Sequence, residues 1–309
     1  MLYEDRTSAD FQADNSTVAT ALKNAVADRD VRTLVGSAGL RQPVQKILDY
    51  ACGNGAFALS LRRAFSDSVV WATDYHEEAP PMIRGRDTGV RYASYDDLSA
   101  QAPFDLVLCR HVLEHTYNPV EFLKGVHDLM RPGGVLLLEV PNLDAPLRRL
   151  FGKYWDGYYV PYHPIHFSSA ALQRVAVNAG FVPDKFGGCE MPKIGRSLRN
   201  MIGCSYNSAL FAVGVLLHPL QFAARFLTGQ PTCLRLWARK PEQAAEKLEE
   251  RKKGKGTSST RAAKSLKIDS RFSSWRSQFA CGTSFSAAGS RALLKRFSVT
   301  ALADGDVMS

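Results

Sequence analysis

KILDYACGNGAFA, residues 46–58, is an apolar run carrying one acid, followed by two glycines around an asparagine. Ile47 and Leu48 read as the end of a buried strand. Gly53-Asn54-Gly55 reads as a tight turn, and 56–65 as the helix that follows. A strand, a glycine-rich turn and a helix N-terminus form a nucleotide-type site. Glycine lets backbone N–H groups come close to a ligand that side chains would hold off.

Outward from this stretch, strands and helices alternate. Upstream, 17–35 has helical spacing, with Asn15 or Ser16 to cap it and Gly36 or Gly39 to end it. Downstream, strands are expected at 68–73, 90–94, 104–109, 135–140, 181–188 and 233–239. Asn118, Pro119 and Glu121 mark the start of a helix whose apolar face is Phe122, Leu123, Val126, Leu129 and Met130. Arg131-Pro132-Gly133-Gly134 is expected to stop it. A further helix spans 168–180, between a serine cap and a terminal glycine. Such alternation predicts a mostly parallel sheet wound on both sides, with ligands outside the carboxyl ends of its strands. Asp49, Asp74, Asp96 and Arg110 all fall at or just past those ends.

The chain has 309 residues and 45% hydrophobic content, enough for a large core. Its six cysteines form no CxxC pair and no Cys/His cluster at zinc spacing, so reduced thiols and no metal are expected. The polar, acidic N-terminus does not read as a signal peptide, which suggests a cytoplasmic protein. The net charge is +9. Residues 241–309 hold 13 Lys/Arg against 7 Asp/Glu, leaving +3 for the first 240. The excess therefore sits in a Ser/Gly/Arg-rich tail, expected to be disordered, and a nucleic-acid partner is disfavoured.

Two ligands suit the opening motif. Gly53-x-Gly55-x-x-Ala58 fits a dinucleotide fingerprint, with Asp74 placed 21 residues past Gly53 for the ribose. Asp49 speaks against it, since a carboxylate beside a pyrophosphate is unfavourable, whereas it suits a ligand bearing an ammonium group. Residues 47–55 also resemble motif I of class I S-adenosylmethionine (SAM) methyltransferases, hhDxGxGxG, with Ala51 in place of the first glycine. The resemblance extends through Phe104-Asp105, Val112-Leu113-Glu114-His115, Pro119, Pro132-Gly133-Gly134 and Pro141-Asn142. Residues 154–181 are similar to the small-molecule branch with a PxHxxxFs segment after strand five. The likeness covers about 45–190, with 233–241 as the closing strand.

The resemblance implies a Rossmann-like α/β fold: seven strands, mostly parallel, the last antiparallel, helices on both faces, and a helical insertion between strands six and seven. The implied division is an N-terminal helical segment (1–40), a methyltransferase domain (41–241) and the tail (242–309). It implies that Asp49, Ala51, Gly53, Asn54 and Gly55 hold the methionine end of SAM. Asp74 would bind the ribose hydroxyls, Tyr75 pack by the adenine, and Asp96 or Asp97 accept from its amine. Arg110 and His111 would line the sulfonium side. Ala51 is expected to weaken SAM binding modestly without changing the ligand. Asp105, at a strand start, is expected to be structural, and Glu114 and His115 to brace a helix.

SAM carries an activated methyl, so the protein mainly positions an acceptor in line with it. If the acceptor is a hydroxyl, a base is needed, and His111, His163 and His166 are the candidates. Two insertions, 143–166 and 192–231, are expected on the acceptor side. The second holds ALFAVGVLL and LQFAARFL around His218-Pro219, with Lys193, Arg196, Arg199 and Arg225 nearby. It reads as too short and broken to span a bilayer. It suits either a lid or an interfacial helix pair, with peripheral membrane contact through 203–228 and a lipid-like acceptor. A dinucleotide-dependent oxidoreductase and a non-catalytic SAM-binding module stay open as alternatives.

Overall fold

The computed structural model describes residues 25, 27–34, 36, 39, 43–85, 87–204 and 208–242. The N-terminal helix is present where described, at 27–34 (α1). Its expected start, and the tail beyond 242, lie outside the described residues.

Seven strands form one sheet: β1 (Lys46–Tyr50), β2 (Val69–Thr73), β3 (Val90–Tyr92), β4 (Phe104–Arg110), β5 (Met130–Pro141), β6 (Val182–Cys189) and β7 (Cys233–Arg239). Their order is β3-β2-β1-β4-β5-β7-β6. The first five are parallel, and β7 runs antiparallel between β5 and β6. Helix α2 (Ala56–Ala64) makes the crossover from β1 to β2, and α3 (Pro119–Asp128) the one from β4 to β5. The order reverses between β1 and β4, the crevice where an open parallel sheet binds its ligand.

Local chemistry sets these elements. Asn118 caps α3 by accepting from the Glu121 amide at 3.2 Å, and Pro119 starts it. Glu121 itself pairs with Lys124 at 2.6 Å and does not reach back to the cap. Helix α5 (Ser169–Asn178) is capped by the Ser168 hydroxyl. It closes with the Phe181 amide donating to the Ala176 carbonyl at 3.0 Å, past Gly180 at φ +93°. The Pro132-Gly133-Gly134 segment, expected as the turn that stops α3, does not itself end that helix, which closes at Asp128. The segment lies inside β5, where the register slips between Phe104↔Met130 and Leu106↔Val135. A Cβ at Gly134 would sit 2.9 Å from the Arg131 carbonyl, so the bulge requires glycine there. Asp105 is structural as expected: its carboxylate accepts from the amides of Gln45 (2.7 Å) and Lys46 (2.6 Å), fixing the entry to β1.

One core lies on each face of the sheet. Leu48, Tyr50, Leu113, Leu123, Phe167 and Leu236 belong to the α3/α5 side, and Ile47, Leu61, Leu106, Leu137 and Trp237 to the α1/α2 side. A smaller third cluster, with Leu147, Phe151, Trp155 and Ile194, sits under the insertions. These comprise α4 (Pro146–Phe151) after β5, and α6 (Ile194–Ile202), α7 (Ser208–Leu216) and α8 (His218–Thr228) between β6 and β7. β6 runs parallel to β5, so both insertions leave from the carboxyl edge.

Candidate active site

The turn after β1 uses left-handed backbone three times, at Ala51 (φ +62°), Gly53 (φ +58°) and Gly55 (φ +85°). The glycine missing from the motif thus falls at a position that favours glycine. An L side chain there costs about 1–2 kcal/mol. Ala51→Gly is expected to stabilise the fold by about 1 kcal/mol in urea titration, and an unchanged midpoint would refute the strain. The Gly53 amide donates to Asp74 Oδ2 at 2.7 Å and the Tyr75 amide to Oδ1 at 2.8 Å. Asp74, at the end of β2, is thereby locked to the turn. Each of its oxygens keeps a second lone pair, as a vicinal diol requires.

Asp49 sits near the end of β1, only 3% exposed. Its Oδ2 is buried without a hydrogen-bond partner. Burial pushes the carboxyl up to about 7, Arg110 opposes that rise, and Asp74 adds to it. An acceptor held out of water with no donor fits the ammonium of an amino-acid moiety. The residues therefore fit SAM: Asp49 would meet the methionine end, Gly53 and Gly55 would let it approach, and Asp74 would take the ribose. Asp97 accepts from Ser94 Oγ at 2.7 Å within its own turn, and Asp96 stands exposed beside it. Tyr75 is half-buried against the core and edge-on to His76.

Arg110 is more committed than the sequence implied. Its guanidinium contacts Glu139 Oε1 at 3.1 Å and Asp30 of α1 at 3.0 Å, and lies 3.8 Å from the centre of the Phe57 ring. Arg110, Glu139 and Arg235 are register partners on β4, β5 and β7. Arg235 reaches Glu139 Oε2 at 2.5 Å and Asp30 at 2.6 Å. Glu139 is fully buried. Burial alone would raise its carboxyl, but Arg110, His111 and Arg235 hold it well below the usual range. This row stitches α1 to the carboxyl edge. The sequence reading missed Asp30, Glu139 and Arg235. The available signal was a lone charge inside each of the apolar strands VLLLEV and CLRLWAR, since a buried charge needs a partner.

His111 lies between two buried carboxylates, 3.2 Å from Glu114 and 3.1 Å from Glu139. Burial opposes its charge, but hydrogen bonds to Glu114 and Glu139 raise it to about 10. The ring is held as imidazolium, which disfavours the base suggested from the sequence. Glu114 does not cap the helix either: it is 1% exposed in the turn after β4. His115 Nδ1 donates to the Tyr162 carbonyl at 2.8 Å, and its ring meets that of His163 at 4.6 Å. His163 is buried with Nδ1 on the Gly157 carbonyl at 3.1 Å, and burial pushes it down to about 4. His166 Nε2 meets the Tyr158 carbonyl at 3.0 Å. Tyr158, Tyr159 and Tyr162 complete an aromatic cluster around these histidines. The fold thus gathers His111, His163 and His166 at the carboxyl ends of β4 and β5.

Residues 21–185, over half of the chain, match the family model for a methyltransferase domain. A ubiquinone biosynthesis O-methyltransferase of Ruegeria pomeroyi is 32% identical over 122 residues, covering 37% of this chain and 46% of that one. A tRNA U34 carboxymethyltransferase of Helicobacter acinonychis is 24% identical over 150 residues, covering 44% and 55%. The chain spans about half the length of the curated relatives it matches. A solved SAM-dependent methyltransferase from Archaeoglobus fulgidus aligns with a TM-score of 0.47 at 17% identity, covering 70% of this chain and 94% of that one. The dinucleotide reading finds no support here. The chain belongs to the methyltransferase-domain family, with a Rossmann-like fold, and S-adenosylmethionine is the methyl donor that its site residues fit.

Proposed function

We propose that the protein methylates a hydroxyl on an apolar, lipid-like small molecule, which it takes up at the cytoplasmic surface of a membrane. The observation that carries this reading is the exposed apolar face of α7 and α8. Phe226 is 90% and Leu227 82% exposed, with Phe211, Leu216 and Phe222 also more than half exposed. A helix apolar all round is normally buried or in lipid, and α7, apolar from Ala209 to Leu216, packs on α6 at Gly214 while leaving Phe211, Val213, Val215 and Leu216 exposed. The relatives named for O-methyl transfer in ubiquinone biosynthesis support the small-molecule acceptor.

Residues 209–228 are long and apolar enough to cross a membrane by length and composition, so length is no obstacle, contrary to the sequence reading. The break between Leu216 and His218, with Pro219 at the start of α8, does stand. Topology favours lying in the surface. Cys189 and Cys233 pair across β6 and β7, so α6–α8 leave and rejoin one sheet edge. Buried Gln221 ties α8 to Glu190 (2.9 Å) and Thr232 (2.8 Å). A spanning helix would strand β7 on the far side. Of the four basic residues expected to favour anionic lipid, Lys193 is internally paired with Asp156 at 3.1 Å, and Arg225 bonds the Gly188 carbonyl at 3.1 Å. Arg196 is exposed on α6, as are Arg149 and Lys153 in the α4 segment that packs beside it.

When bound, SAM supplies a methyl already activated on sulfonium, so the chain's task is to bind, orient and exclude water. Asp49 would fix the amino-acid end and Asp74 the ribose. The Tyr158/Tyr159/Tyr162 cluster would shape the acceptor side, with His163 and His166 as the histidines whose rings meet it.

Methyl-labelled SAM incubated with cell extract tests the reaction. Label is expected in an organic-extractable product carrying a new methyl ether by mass spectrometry. Label in RNA or protein would overturn the reading, and tight SAM binding with no transfer would favour a non-catalytic module. Flotation tests the surface. The intact chain is expected to float with anionic vesicles, and Phe226→Asp with Leu227→Asp to cut binding at least about tenfold with SAM binding unchanged. Equal flotation of both would remove the membrane face from the proposal.

A further inference from the structure

We infer that Glu114, His115 and His163 form a binding site for one divalent cation of the zinc class. Neither the family match nor the sequence pattern indicates a metal. Glu114 and His115 lie in the turn after β4, and His163 lies 48 residues on, in the loop after β5. One donor atom from each lies within 4.8 Å of the other two.

Two further observations point to a ligand. The first is the Glu114 carboxylate. Its Oε1 faces His111 Nδ1 at 3.2 Å, but its Oε2 is fully buried with no hydrogen-bond partner. A buried carboxylate oxygen without a donor is costly, and a bound cation relieves it. The second is how the two histidines are anchored. His115 presents Nδ1 to the Tyr162 carbonyl at 2.8 Å, and His163 presents Nδ1 to the Gly157 carbonyl at 3.1 Å. Donation from Nδ1–H places the ring lone pair on Nε2. Metal-bound imidazoles are oriented by such a bond on their far nitrogen.

Two imidazoles and one carboxylate suit zinc or a similar borderline ion. The set leaves at least one coordination position for water or an acceptor oxygen. Zinc at about 2.1 Å from each donor keeps donors roughly 3.4 Å apart, so the three would close by up to about 1.4 Å on loading. His163 sits on a loop and can supply that movement. The site does not depend on the identity of the acceptor, and its readout is metal binding, so it can stand or fall apart from the proposed reaction.

The full chain, stripped with chelator and titrated with Zn2+ and then Co2+, tests the site. One zinc per chain is expected after desalting. The cobalt form should show a visible d–d spectrum without a thiolate charge-transfer band. His163→Ala and Glu114→Gln should each weaken binding at least about tenfold, with the thermal transition of the metal-free protein retained. If Glu114→Gln fails to fold, His163→Ala decides alone. No bound metal at micromolar zinc, a thiolate band, or affinity unchanged in His163→Ala would each overturn the site.

Discussion

Asp49→Asn is expected to weaken SAM binding about 30- to 150-fold and, at the same time, to stabilise the ligand-free protein. The first effect follows from losing a charge-assisted contact, worth ~2–3 kcal/mol. The second follows from burial. The folded pKa of Asp49, about 7, lies above its ordinary 3.8. The carboxyl therefore contributes stability that is fully present below pH 3.8 and is lost as pH rises through about 7. At pH 8 the ionised group is a liability on the order of 4 kcal/mol, which the amide removes. Thermal melts should show a gain of several degrees for Asp49→Asn at pH 8 and almost none near pH 4. SAM titrations of the parent protein should weaken about tenfold from pH 8 to pH 6, a slope that Asp49→Asn flattens. Asp74, also raised by burial, adds a residual slope in both. A variant that loses affinity but gains no stability at pH 8 would show that Asp49 is not a strained acceptor.

Glu139→Leu is expected to be the most destabilising single change, at about 3–5 kcal/mol by urea or guanidinium titration. It removes the one carboxylate shared by Arg110, His111 and Arg235 and leaves those cations inside the protein. Glu139→Leu with Arg235→Met should recover part of the loss, because Arg110 keeps Asp30 while the second buried cation is gone. A Glu139→Leu cost under ~1 kcal/mol would mean that the row is solvated. The Glu139 carboxyl is held well below its ordinary 4.5, so its contribution is present above that value and fades as pH falls.

Much of the fold was legible because it rests on local rules. Alternating apolar runs, the Asn118-Pro119 start and the Ser168 cap each act within a few residues, and the other expected strands, α2, α3 and α5 lie within two or three residues of their expected places, while β5 begins five residues early. The Pro-Gly-Gly segment was misread for a physical reason. A bulge and a loop both need glycine, and only pairing with β4 makes it strand. The placement of Asp49, Gly53 and Asp74 at one carboxyl edge could be read in advance because strand ends are fixed by the parallel sheet. Arg110 could be placed but its partners could not, since Asp30 and Glu139 lie 80 and 29 residues away.

The histidines divide along the same line. Residue type alone makes His111, His163 and His166 equal candidates for a base. Environment separates them: two buried carboxylates hold His111 charged, and burial holds His163 neutral. The sequence by itself determined the sheet, the glycine turn and the methyltransferase family, because short-range pattern and strand-end placement are properties of the chain. Only the tertiary structure decided the charge row, the Glu114–His115–His163 cluster and the exposed face of α7–α8. Protonation state, burial and company in space depend on residues brought together from distant parts of the chain.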